Sequence, residues 1–422
     1  MKKLLIAFLF FMICLTGYSQ KTYVVTMKAS FEVPVFENRA TNSDRIRQSD
    51  LNEDRRNQKK ARLQEFLNNK GIRNVKNQFF DLKVGFVAPL TDQERESLLN
   101  DPQVESVDED IETQGRPIMQ GIPDSQGRPI MQGRPIMQSD EIESSWLYDE
   151  GNKASCAIAL VNGSTDSNNR RESIWVIDTG VDANHRDLNV NQSSRLAISF
   201  VDGQPFNDVL GHGTHVAGLA AGKGSGSLSA TGVSSGAEII PIKVFDNNGI
   251  SSWAKILLAL DHIANYGQPG DVVLMSLGSF DVSNCATSNP QLTSAIRTIA
   301  DSGMFVVMSA GNDNGNAAQN LPGCINGPNI FTVGALDFSC GALGSKYDAS
   351  NFGSGVDYFV PGSKVFSTWP SQNGDGQNVY QIMSGTSMSA GIMAGIVHAT
   401  RGAPRSSGTI TINGISYKIA SR

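Results

Sequence analysis

The sequence predicts an α/β protein: a three-layer αβα domain built on a mostly parallel central sheet, preceded by a small α+β domain of ferredoxin-like type. Three observations carry this expectation. From about Ser144 onward, short and nearly continuous apolar runs alternate with segments of helical periodicity, the pattern of strands covered on both faces by crossover helices. Residues 113–138 break both periods with Gly and Pro and so separate two units. The length of 422 residues also exceeds one ordinary domain and suits two.

The elements follow in chain order. Met1-Lys2-Lys3 precedes an apolar run from Leu4 to Leu15, and Gly17 and Ser19 supply small residues before Gln20. This reads as a secretory signal peptide over residues 1–19, since the run is too short to span a bilayer. Cys14 lies within it and lacks the preceding Leu-x-Gly of a lipoprotein. Residues 20–112 form the small α+β unit. A strand is expected over 22–27, a charged helix over 45–68 and a second strand over 79–89. Thr91-Asp92-Gln93-Glu94 carries the capping-box pattern for a helix through Leu99, and a strand follows at 104–107. The basic residues between Arg45 and Arg62 are interleaved with Asp50, Glu53 and Asp54, which marks a solvated helix face.

Residues 113–143 read as an exposed linker. Gln-Gly-Arg-Pro-Ile-Met-Gln occurs at 114–120, 126–132 and 132–138, a period too short for a solenoid unit. Residues 144–422 form the larger domain, with strands expected at 173–177, 239–244, 272–277, 304–309 and 330–333, and helices starting near His212, Ser252, Pro290 and Thr386. Lys and Arg number 35 against 41 Asp and Glu, a net charge of −6 with no basic patch, so no nucleic-acid surface is expected. No later stretch suits a membrane, and an exported, soluble chain is expected. Its remaining cysteines, Cys156, Cys285, Cys324 and Cys340, imply two disulfides among three connectivities, with free thiols as the alternative.

In a doubly covered parallel sheet, ligands sit beyond the carboxyl ends of the strands. Asp178, Ser276-Leu277-Gly278 and Ala310-Gly311-Asn312 fall there. Asp178 taken alone is equally a strand-end cap, a metal ligand or the orienter of a histidine. His212 and His215 lie in Gly211-His212-Gly213-Thr214-His215 at a helix start. A zinc site made with Asp208 is one reading, but no Glu stands where a metalloprotease helix carries its base, and no further ligand is evident. A histidine at a helix N-terminus is expected to stay neutral against the dipole, which suits a general base. His215, one turn inward, is expected to pack behind it. Ser387, in Gly385-Thr386-Ser387-Met388, opens the last apolar helix, where a serine alone is an ordinary N-cap. With an aspartate and a histidine upstream at element ends, it becomes a candidate nucleophile. Asn312 alone is a turn residue; beside a nucleophile its amide is a candidate oxyanion donor.

Asp178-Thr179-Gly180, His212-Gly213-Thr214-His215, Ala310-Gly311-Asn312 and Gly385-Thr386-Ser387-Met388 together resemble the motifs of the subtilisin-like serine proteases (subtilases, peptidase S8 family), the proteinase K branch in particular. Residues 22–112, with Tyr23-Val24-Val25 and the stretch from Leu98 to Val107, look like the inhibitor I9-type propeptide of that family. The resemblance implies a secreted endopeptidase, extracellular or periplasmic, made as a self-processing zymogen. Ser387 would be the nucleophile, His212 the base and Asp178 its orienter, with Asn312 in the oxyanion hole. Substrate would pair with Ser276, Leu277 and Gly278, and Ser309, Ala310 and Gly311 would wall the first pocket. The partners implied are polypeptide substrates and the protein's own propeptide as intramolecular inhibitor, for a monomer without nucleic acid or membrane. No cofactor is required for the chemistry. A structural calcium is implied at Asp357 with the carbonyls of Pro328 and Ile330. The alternative function is a catalytically silent relative that binds peptides.

Three features depart from the family pattern. Gly391 stands where Pro is usual, which is expected to loosen the first turn after Ser387. Ser279 replaces a common Gly, and the short tail after Ser387 is expected to end in a hairpin around Asn413-Gly414. Because Cys285 and Cys324 each follow one of two strands expected to be neighbours, a Cys285–Cys324 disulfide is expected. Cys156 and Cys340 are left to pair or stay free. The linker's repeats are either duplicated spacer or the expected maturation cuts, after Met119, Met131 or Met137.

Overall fold

The computed structural model describes residues 20–31, 45–113, 148–226, 228–278, 285–371 and 379–422. The expected signal peptide, the repeats with their cut sites and Ser279 lie outside the described residues. Contacts divide the chain into two compact units, one running to Asp110 but without Phe79–Lys83, the other made of Phe79–Lys83 and Ile111–Arg422.

The smaller unit is a four-stranded sheet with two helices: β1 (Lys21–Met27), α1 (Arg45–Lys70), β2 (Asn77–Phe79), β3 (Gly85–Leu90), α2 (Asp92–Leu99) and β4 (Val104–Glu109), in the strand order β2-β3-β1-β4, with β1 antiparallel to both β3 and β4. Val25 of the central strand faces Phe86 on one side and Val107 on the other, and all three are buried with Leu63, Leu67 and Leu98 of the helices. The capping box forms as expected: the Glu94 N–H donates to Thr91 Oγ1 at 3.2 Å and the Thr91 N–H to Glu94 Oε2 at 2.8 Å. The single strand expected over 79–89 is two strands. The chain bends over Asp81–Lys83 between them.

The larger unit holds β5 (Ser173–Asp178), α3 (His212–Ala221), β6 (Glu238–Lys243), α4 (Trp253–Tyr266), β7 (Val272–Met275), α5 (Pro290–Asp301), β8 (Phe305–Ser309), β9 (Ile330–Ser339), β10 (Ala342–Lys346), β11 (Tyr358–Pro361), α6 (Thr386–Thr400), β12 (Arg405–Ile412) and β13 (Ile415–Ser421). Its sheet runs β6-β5-β7-β8-β9-β11-β13-β12, with short strands flanking β6 and with β10 folded back on β9. The pairs from β6 to β13 are parallel, and among the described residues only β9–β10 and β12–β13 are antiparallel within this sheet. Ile174, Val176, Val272, Leu274 and Val307 turn one face toward α3 and α6 in a single apolar cluster. The alternate residues Trp175, Val273 and Val306 are equally buried on the opposite face, where α4 and α5 pack. The tail forms the expected hairpin: Asn413 and Gly414, both with positive φ, join β12 to β13, and β13 adds to β11 in parallel. Disulfides join Cys285 to Cys324 and Cys156 to Cys340, with Cα–Cα distances of 5.8 Å and 5.1 Å.

Gly391 has a different role from a loosened helix turn. A Cβ there would lie 2.8 Å from the Val216 carbonyl, and one on Gly395 would lie 2.7 Å from the Ala220 carbonyl. One turn apart on α6, the two glycines let it approach the backbone of α3. Ala in place of Gly gains about 1 kcal/mol of helix propensity, whereas overpacking a close contact costs about 1–3 kcal/mol. Gly391→Ala is therefore expected to destabilise the larger unit, read as a lower denaturation midpoint in guanidinium; an unchanged or raised midpoint would contradict the contact.

Candidate active site

β5 ends on Asp178, whose side chain is 1% exposed. A carboxylate so far from water needs charge partners or donors to remain ionised. The Thr179 N–H donates to its Oδ1 at 2.7 Å, and His212 Nδ1 lies 2.8 Å and 2.9 Å from its two oxygens. Since a carboxylate accepts, His212 carries its proton on Nδ1, which leaves Nε2 as the basic nitrogen. Nε2 is buried and has no hydrogen-bond partner in the structure.

His212 opens α3, and the N-cap before it, Gly211, has no side chain to satisfy the helix's first N–H groups. Asp208 supplies that function from upstream. Its Oδ1 accepts from the Leu210 and Gly211 N–H groups at 3.0 Å and 2.9 Å, and its Oδ2 from the Thr214 N–H and hydroxyl at 2.9 Å and 2.7 Å. Thr179 Oγ1 accepts from the Gly213 N–H at 2.9 Å, which joins the end of β5 to the start of α3. Lys243, fully buried at the end of β6, donates to the Thr179 carbonyl at 2.6 Å. Sequence reasoning missed both supports. A lone lysine closing an apolar strand and an aspartate ahead of a glycine N-cap were the available signals.

The expectation that the helix dipole keeps His212 neutral needs correction. Burial pulls its pKa down, but the Asp178 charge, the hydrogen bond to it and the Asp208 charge outweigh burial and raise the pKa above the ordinary 6.5. His215 behaves as the packed residue expected. Its Nε2 donates to the Gln381 carbonyl at 3.0 Å, and burial lowers its pKa to about 3. The donors of the zinc reading thus face separate partners: His212 faces Asp178, His215 faces Gln381, and Asp208 faces the start of its own helix.

Ser387 is the second residue of α6 and is 6% exposed. Asn312 lies beside that helix start. Its Oδ1 accepts from the Thr386 N–H at 2.8 Å and the Thr386 hydroxyl at 3.1 Å. With the carbonyl oxygen of the amide engaged there, Nδ2 is the end left to donate elsewhere. No hydrogen bond joins Ser387 Oγ to His212 Nε2. β7 and β8 pair in register, Met275 opposite Met308, so Ser276–Gly278 and Ser309–Gly311 emerge side by side. Asn320, 2% exposed and not singled out by the sequence, donates from Nδ2 to the Ser309 carbonyl at 3.3 Å. Asp357 lies apart from this group, its Oδ2 accepting from the Thr332 N–H at 2.8 Å.

Comparison with known proteins adds a lineage to this geometry. Residues 22–114 match the description "Peptidase inhibitor I9", and residues 169–409, more than half the chain, match "Subtilase family". The chain belongs to the subtilase family. Subtilisin-like protease 2 of Pseudogymnoascus destructans is 31% identical over 225 residues, covering 53% of this subtilase and 50% of its own length. The cuticle-degrading serine protease of Arthrobotrys oligospora is 34% identical over 228 residues, covering 53% and 50%. Thermitase of Thermoactinomyces vulgaris is 32% identical over 237 residues, covering 56% and 77%. This subtilase spans about half the length of the first two.

The raised pKa gives a direct test in the Ser387→Ala protein, where self-digestion is not expected. Histidine-selective NMR should place the His212 midpoint above 6.5 and leave His215 neutral down to about 3. Asp178→Asn removes the opposing charge and should move the His212 midpoint down. A midpoint that stays in place would show that the buried pair does not govern His212.

Proposed function

We propose that this subtilase is a serine endopeptidase, made as a secreted, self-processing zymogen and acting as a monomer on polypeptides. The observation that carries the reading is the buried Asp178–His212 bond, which leaves Nε2 basic and unpartnered on a helix packed against the one that Ser387 opens, with Asn312 bonded to the start of that second helix. In the reaction, Ser387 Oγ attacks the substrate carbonyl carbon while its proton passes to His212 Nε2. Asp178 stabilises the imidazolium that forms. The new oxyanion accepts from Asn312 Nδ2 and the Ser387 N–H at the positive end of α6. His212 then gives its proton to the leaving amine, and water resolves the acyl-enzyme by the same steps in reverse order. The substrate strand lies along Ser276–Gly278, with Ser309–Gly311 as a pocket wall. The I9-like unit acts as intramolecular inhibitor until the linker is cut. No described helix is long and apolar enough to cross a membrane.

A serine-directed phosphonate should label Ser387 in the mature chain, and a zinc chelator should leave activity unchanged. Absence of labelling in folded protein would favour the silent peptide-binding alternative. Ser387→Ala, expressed without other proteases, should accumulate uncut; processing at the parent's rate would rule out self-cleavage. Asn312→Leu should lower kcat about 10²–10³-fold with little change in KM. Because the base must be neutral, kcat/KM should fall on acidification through a midpoint above 6.5.

Structural calcium is a secondary proposal. The donors are hard oxygens, and Asp357 is a carboxylate whose pKa burial pushes up, so a cation would offset the cost of its charge. If Asp357→Ala leaves the calcium response of the thermal midpoint unchanged, calcium does not bind there.

A further inference from the structure

Loops that follow strands usually satisfy their polar backbone with water. The loop that carries Asn312 is instead tied to Thr386 and to one further stretch. Asn351, 0% exposed, lies in the return from β10 toward β11 and brackets Asn312 on both sides. Upstream, its backbone N–H donates to the Gly311 carbonyl at 2.9 Å and its Nδ2 to the Ala310 carbonyl at 3.0 Å. Downstream, its Oδ1 accepts from the Asp313 and Gly315 N–H groups, both at 2.9 Å. Lys346, at the end of β10, extends the hold. Its ammonium lies within 3.0 Å of Asn314 Oδ1 and of the carbonyls of Tyr347, Asp348 and Ser350.

A donor to an oxyanion acts only when held within about 2.7–3.1 Å of the developing charge. Thr386 fixes the far end of the Asn312 side chain, but a side chain is only as well placed as its own Cα. We propose that Asn351, braced by Lys346, is a positioning residue for the oxyanion hole: it fixes the backbone on either side of Asn312 so that Nδ2 meets the tetrahedral intermediate. The inference rests on the reading of Asn312 as oxyanion donor.

A double-mutant cycle separates positioning from general structural support. Asn312→Leu, Asn351→Ala and the double variant are compared with the parent on a chromogenic peptide, with active enzyme counted by phosphonate titration. Asn351→Ala should lower kcat about 10–100-fold and change KM less than about threefold, the split for a group acting only in the transition state. In the Asn312→Leu background the same substitution should cost less than about twofold, since the donor it positions is gone. Additive losses would overturn the proposal. An Asn312→Leu protein with unchanged kcat would instead remove the oxyanion reading itself. Should Asn351→Ala not accumulate as folded protein, the partly exposed Lys346→Ala decides the matter. It should lose about 3–10-fold in kcat, by the same positioning argument, and regain activity with propylammonium but not with sodium chloride at equal ionic strength. No loss, or no selective recovery, would overturn the proposal.

Discussion

The buried bond between Asp178 and His212 is the constraint on which the larger unit depends. A carboxylate and an imidazole withdrawn from water are costly unless each satisfies the other, and breaking such a pair leaves an uncompensated charge behind. Its geometry obliges β5 to end and α3 to begin within hydrogen-bonding reach, and the surrounding residues serve that junction. Thr179 bonds to Asp178 through its N–H and to Gly213 through its hydroxyl, and its carbonyl receives the Lys243 ammonium. Asp208 satisfies the start of α3, which its glycine cap leaves without a side-chain acceptor. Two carboxylates near one imidazole also set the direction of its pKa, against the pull of burial.

The second helix start is fixed by packing. α6 meets α3 through Gly391 and Gly395, where backbone lies against backbone. Interiors packed this closely transmit displacement, so the position of Ser387 at the head of α6 is coupled to that of His212 at the head of α3. Thr386 completes the arrangement, since its N–H and hydroxyl orient the Asn312 amide. Under the proposed mechanism, each reacting group thus sits at the end of a regular element, and at the head of α6 the Ser387 N–H is the backbone donor to the oxyanion.

Away from the junction, covalent and topological ties limit how far the edges move. Cys285–Cys324 ties the chain beyond β7 to the stretch beyond β8, and these strand ends frame the expected substrate-binding residues. After α6 the chain adds two strands. β13 pairs with β11 while β12 forms the outer edge, which covers what would otherwise be an exposed edge of the parallel sheet.

What the sequence determined by itself was local or repetitive. Strand and helix positions followed from periodicity, the Thr91–Glu94 box from its spacing, and the terminal hairpin from Asn413-Gly414. The four motifs brought Asp178, His212, Asn312 and Ser387 forward because each marks an element end. Tertiary structure decided matters whose energy depends on residues distant in sequence. The direction of the His212 pKa required knowing that two carboxylates share its burial. The role of Gly391 required a second helix against it. Asn351 carried no signal at all in the sequence. An asparagine in a polar stretch reads as a turn residue, and only the fold places its amide between the Ala310 carbonyl and the Asp313 N–H, where burial makes every hydrogen bond count.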